Sequence, residues 1–194
     1  GGVVDAYTMT EAVKDGITVN LVYDGRAAKV MLNQDKVRQI EEYYAQCELE
    51  GANEHQVEES QKAVAKMEVI IGDPDRLRAV AEDFIKHYET RVAEGATVAG
   101  KAMFVCSNRN IAYDFYKIVK ELRPKWTEKK ICDDGVVLSE KDKKELKPME
   151  KIKLVMTRNK DDEKDLFDML GTKEDRKEFD RQFKNPKSNF KIAI

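Results

Sequence analysis

The chain has 194 residues, 41% of them apolar and 37% charged, with 35 Lys and Arg against 37 Asp and Glu for a formal net charge of −2. That apolar share suffices for one respectable core or two small ones, while the near-balance of charge excludes a module that grips nucleic acid through overall positive charge. No apolar run approaches the length of a membrane span, so no membrane partner is expected.

Thr8 to Lys14 reads as a short helix that stops near Gly16. Ile17 to Tyr23 alternates apolar and polar residues and predicts a strand, Asp24-Gly25 a turn, and Ala28 to Leu32 a second short strand that could pair with the first as a hairpin. From Asn33 the period becomes helical. Val37, Ile40, Tyr44 and Cys47 form one stripe and Val57, Val64, Met67 and Ile71 a second. Gly72-Asp73-Pro74 supplies a stop, an N-cap and a proline at the first helical position, and Leu77, Val80, Phe84 and Tyr88 continue as a third stripe ending at Gly95. These stripes lack convergent polar groups and predict a scaffold packed on the outside of a sheet, away from its functional edge.

After Gly100 the pattern is α/β. Ala102 to Cys106 is a short apolar run of the kind that forms a buried parallel strand, and it passes through Ser107-Asn108-Arg109-Asn110 into a helix with Ile111, Phe115, Ile118 and Leu122 on one face, ended by Pro124. Residues 125–150 are polar, with a Ser139-x-x-Asp142 helix start and a charge run, Glu140 to Glu145, that reads as a solvated face. Ile152 to Met156 is the next strand, again ending in polar residues, Thr157-Arg158-Asn159. Thr172 and Asp175 cap a helix carrying Phe179 and Phe183 four residues apart, which Asn185-Pro186 breaks. Phe190 to Ile194 reads as a final strand, expected at the open edge of an excised piece. The division is therefore a connection with short strands over 1–32, a helical segment over 33–100, and an α/β unit over 101–194. The fold class is α/β, a partial parallel sheet with flanking helices.

Strands alternating with helices predict right-handed crossovers, so Ser107, Asn108, Arg109, Thr157 and Arg158 emerge on one carboxyl edge, where open α/β sheets place their ligand contacts. Hydroxyls, an amide, guanidinium groups and the N–H groups of a helix start suit phosphate oxygens without reading bases. Against this stands the plainer reading of the same residues as ordinary loop and cap residues. Cys47, Cys106 and Cys132 have no metal-ligand spacing, and their odd number without pairing signals suits a reducing cytoplasm. His55 and His87 are equally isolated, so no metal is expected.

The stretch AMFVCSNRNIAYDFY resembles motif IV at the start of the second RecA-like domain of superfamily 2 helicases, and VMT followed by EDRKEFDRQFKNPKSNFKIAI resembles the stretch before motif V. More narrowly, DAYTMTEAVKDGITVNLVYDGR is similar to the connection leaving the first motor domain in the restriction, or motor, subunits of type I restriction endonucleases. That resemblance implies a partial RecA-like sheet and an ATP- and Mg²⁺-dependent motor that pulls double-stranded DNA past methyltransferase and specificity subunits before cutting it. It implies that Ser107, Asn108 and Arg109 contact the DNA backbone, that Thr157 and Arg158 supply a second contact, and that Arg176 is structural. No GxxxxGK(S/T) loop and no DExH-like box is present, and the run NKDDEKDLFDML departs from the family pattern. The chain by itself is therefore expected to be inactive, with no catalytic residue and no bound cofactor. The rival readings are a nonenzymatic α/β interaction module docking through residues 33–94 and another superfamily 2 DNA or RNA helicase.

Overall fold

A computed structural model describes residues 8–18, 22–23, 70–95 and 100–194. Helix α1 (Met9–Lys14) forms where a short helix is expected, and it starts on a Thr8 N-cap with a reciprocal Glu11 capping box. The strand expected at Ile17–Tyr23 is not present in its described ends. Ala12 O accepts from the N–H groups of both Ile17 and Thr18, which turns the chain at the helix end, and Ile17, Val22 and Tyr23 are exposed. Residues 19–21, the hairpin partner at Ala28–Leu32, and the stripes from Val37 to Met67 lie outside the described residues.

Helix α2 (Pro74–Ala93) has Asp73 as N-cap, accepting from Arg76 N at 3.3 Å, and proline at its first position. Its buried face is Leu77, Ala81, Ile85 and Tyr88, with Val80 and Phe84 partly covered. Three parallel strands follow in chain order, β1 (Ala102–Met103), β2 (Ile152–Lys153) and β3 (Ile192–Ala193), and the sheet order is β1-β3-β2. Ile192 is in register with both Ala102 and Ile152. The final strand is thus central. This corrects the expected edge position: hydrogen bonds run to it from Ala102 and Phe104 on one side and from it to Lys151 and Lys153 on the other, and Phe190, Lys191, Ile192 and Ala193 are all buried.

Helices α3 (Arg109–Leu122), α4 (Glu140–Glu145), α5 (Lys164–Leu170) and α6 (Lys173–Lys184) connect these strands. The larger core unites α2, α3 and α5 with one face of the sheet, through Phe115, Val119, Leu166, Leu170, Ile152, Leu154 and Ile192. Helix α2 therefore shares its core with the sheet. On the opposite face Phe179 and Phe183 of α6 pack against Met149, Phe190 and Ala193. That second layer does not reach Met103 and Val105, which are 69% and 81% exposed. Among the described residues the run Ala102–Cys106 is accordingly covered on one face, with Ala102, Phe104 and Cys106 turned to the core and the alternate residues outward.

Ser139 and Asp142 form the predicted capping box of α4, which buries none of its residues, in keeping with a solvated charge run. Helix α5 has no counterpart in the sequence reading; its Leu166 and Leu170 are one turn apart and both belong to the larger core. Among the described residues no helix is long and apolar enough to cross a membrane.

Candidate nucleic-acid interface

Parallel strands send their carboxyl ends to one rim, and two loops meet there. In the first, Asn108 caps α3, its Oδ1 accepting from Ile111 N at 2.9 Å, while Ser107 before it is exposed. The second loop carries Thr157, exposed, and Arg158, partly buried. Arg109 joins the two. Its Nη2 donates to Thr157 O at 3.0 Å and to both carboxylate oxygens of Asp162 at 2.6 and 2.7 Å.

The ion pair is asymmetric in burial: the Asp162 side chain is 4% exposed and that of Arg109 30%. Asp162 also accepts from Asn159 N at 2.6 Å, so one carboxylate closes its own loop and anchors the neighbouring helix. A carboxylate this far from water depends on its partner, because removal of the guanidinium would leave a buried charge uncompensated. Arg109 Nε is buried and finds no hydrogen-bond partner among the described residues. Arg158 is engaged as well, donating from Nε to Phe167 O at 2.8 Å with its guanidinium 4.3 Å above the Phe167 ring.

The five residues singled out from sequence therefore lie at one rim but in different situations. Ser107 and Thr157 are exposed, Asn108 spends its side chain on the helix cap, and the two arginines hold protein atoms. Arg176, expected to be structural, donates from Nη1 to Gly171 O at 3.2 Å between α5 and α6. Sequence reasoning missed Asp162. Asp161-Asp162-Glu163 reads as a solvated acidic run, and nothing in its spacing singles out the middle carboxylate as buried.

Two surfaces flank the rim. An apolar groove of about 420 Å³ lies over Met103, Val105, Cys106, Val155, Met156 and Ile194, with Asn108 and Arg109 at its border. Burial raises the Cys106 thiol above its ordinary value, so this residue is a protonated thiol at neutral pH. On the other side a polar hollow of about 560 Å³ carries Asp114, Asp161, Asp162 and Glu163 against Arg109 and Lys117. These carboxylates are not arranged as a metal site: among the described residues no group of three or more His, Cys, Asp or Glu side chains is placed to hold a metal ion.

Comparison with known proteins gives two relatives that match the whole chain. One is the type I restriction enzyme HindI endonuclease subunit of Haemophilus influenzae, 29% identical over 194 residues. This chain is similar along its whole length to a type I restriction endonuclease subunit. The other relative is the MjaIXP endonuclease subunit of Methanocaldococcus jannaschii, likewise named for a type I restriction enzyme and 28% identical over 196 residues. The chain spans 16% of the length of each of these restriction subunits. No family model matches it, and no solved structure matches it.

Proposed function

We propose that this chain is part of the ATP-dependent DNA-translocating motor of a type I restriction endonuclease subunit, and that its carboxyl rim faces the phosphate backbone of double-stranded DNA. The observation that carries the reading is the whole-chain similarity to two such subunits, joined to the meeting of two polar strand ends at one rim. Ser107 and Thr157 are the hydroxyl donors, and the first amides of α3, oriented by the Asn108 cap, add a dipole that favours an anion. Contacts of this kind hold a strand without reading its sequence. Recognition is left to the specificity subunit, and the partners in the assembly are that subunit and the methyltransferase.

ATP and Mg²⁺ belong to the parent motor, where ATP hydrolysis would supply the energy of translocation and Mg²⁺ would neutralise the phosphate charge. The donors of this chain do not fit them. It has no phosphate-binding GxxxxGK(S/T) loop, the groove at the rim is walled by apolar side chains, and the arginine at its border is paired with Asp162. No step of nucleotide hydrolysis is derived from these residues.

The test is made in the full-length subunit assembled with its partners. Ser107→Ala combined with Thr157→Val should lower DNA-stimulated ATP turnover and raise the DNA concentration needed for half-maximal stimulation, with basal ATP binding retained. Stimulation and half-maximal concentration equal to those of the parent subunit would remove the rim from the DNA path.

A further inference from the structure

Arg109 stands where a phosphate-binding guanidinium would be sought, yet its hydrogen bonds run into the protein. Nη2 holds both oxygens of a carboxylate that is 4% exposed and also the backbone carbonyl of Thr157. Asp162 in turn takes Asn159 N, so one ion pair holds residues 157, 159 and 162 against the first residue of α3. The guanidinium charge is neutralised at 2.6 Å, and burial shields the pair from salt far better than an exposed pair. A phosphate meeting the partly exposed Arg109 would compete with a carboxylate that already holds it through Nη2 and that loses its partner if the guanidinium turns away. Ser107 lies two residues before Arg109, and Thr157 is the residue whose carbonyl Arg109 holds. The pair therefore ties the exposed Thr157 to the start of α3, close in the chain to the exposed Ser107.

We infer that Arg109 and Asp162 are positioning residues: they brace the two rim loops so that Ser107 and Thr157 meet the DNA backbone together, and Arg109 contributes geometry to DNA binding while its charge stays with Asp162. This rests on the reading of the rim as DNA-facing. Arg158, held by Phe167 O and its ring, braces the second loop in the same manner from behind.

The experiment measures DNA affinity of the full-length subunit, in its complex and well below its melting temperature, across a range of salt concentrations. The variants are Arg109→Gln, Arg109→Lys, Asp162→Asn, the Arg109→Gln/Asp162→Asn double, and Ser107→Ala/Thr157→Val. Arg109→Gln and Asp162→Asn should each weaken binding about tenfold, because a misplaced contact loses affinity without any loss of fold. The salt slope should not change, and the double variant should be no weaker than either single one, since both break the same pair. Arg109→Lys, which keeps a charge within reach of Asp162, should recover most of the loss.

Tighter or unchanged DNA binding by Asp162→Asn would show that freeing the guanidinium helps, and would overturn the inference. So would a salt slope flattened in Arg109→Gln by roughly 0.7 to 0.9, the signature of one lost phosphate contact. Asp162→Asn keeps the size of the side chain and an acceptor for Asn159 N, so it remains decisive if Arg109→Gln does not fold. The hydroxyl double variant separates the two readings. If it binds DNA like the parent, the rim reading itself fails and the inference falls with it; if it weakens binding while Arg109→Gln and Asp162→Asn do not, the rim stands and only the bracing role is overturned.

Discussion

The ring of Phe104 lies flat against that of Phe115, with centroids 3.9 Å apart and planes 4° from parallel. One belongs to the strand segment that leads to the rim and the other to the helix that leaves it, so the stack sets the angle at which α3 departs. Phe84 of α2 meets both rings edge-on, at 5.1 and 5.8 Å. Phe115 is fully buried. Phe115→Ala should cost about 3–5 kcal/mol, the transfer of an aromatic ring plus the cavity it leaves. Urea denaturation checks it, and a loss below about 1 kcal/mol would mean that the three-ring cluster is not the core's centre.

Leu77, on the first turn of α2, is 4% exposed against the same core. Leu77→Ala should destabilise by about 2–5 kcal/mol. An unchanged denaturation midpoint would show that α2 does not pack on the sheet in solution.

Gly171 separates α5 from α6 with φ at +65°, and a Cβ built there stands 2.8 Å from the Asp175 Cβ and 3.0 Å from its Oδ2. Asp175 cannot yield freely, because its carboxylate accepts from Thr172 N and Oγ1 at 2.7 and 2.9 Å in the α6 capping box. Gly171→Ala should therefore lose about 1–3 kcal/mol, through the strained backbone and the displaced cap together. The thermal midpoint reads the effect; a midpoint equal to the parent's would show that the junction relaxes at no cost.

Glu178 governs part of the acid response. Burial alone would raise its carboxyl, but hydrogen bonds from Arg181, Gln182 and Lys147 outweigh that and hold it at about 2, below the ordinary 4.5. The folded state therefore favours the carboxylate. Its stabilisation is fully present above about pH 4.5 and is lost as pH falls toward 2. Glu178→Gln should lower the thermal midpoint at pH 7 and converge with the parent near pH 2. Asp142, held at about 2 by Lys187 and the Ser139 cap, titrates in the same window, so the pH dependence should be reduced and not abolished. Parallel midpoint curves for parent and variant across this range would contradict the assignment.

The 194-residue chain alone should give a flat calorimetric titration with a nonhydrolysable ATP analogue, since it lacks the phosphate loop that such binding needs. Saturable binding at micromolar concentration would make it a nucleotide-binding unit in its own right.

Several helix starts and stops were legible in the residues: Asp73, Ser139 and Thr172 cap as read, and Pro124 and Asn185-Pro186 end their helices, whereas the caps at Thr8 and Asn108 emerge only in the structure. A cap is decided within four residues, so its chemistry is written locally. The alternation of strands and helices likewise announced a parallel sheet, and with it one rim for Ser107 and Thr157. Strand order was not legible, because Phe190 to Ile194 reads the same at an edge or at the centre until both neighbours are in place. Nor was the partner of Arg109. Asp162 lies 53 residues away, one of three consecutive acids, and its selection depends on which of them the fold withdraws from water. An arginine at a strand end is a phosphate donor or a strut according to the nearest buried carboxylate, and that proximity exists only once β3 has drawn β1 and β2 together.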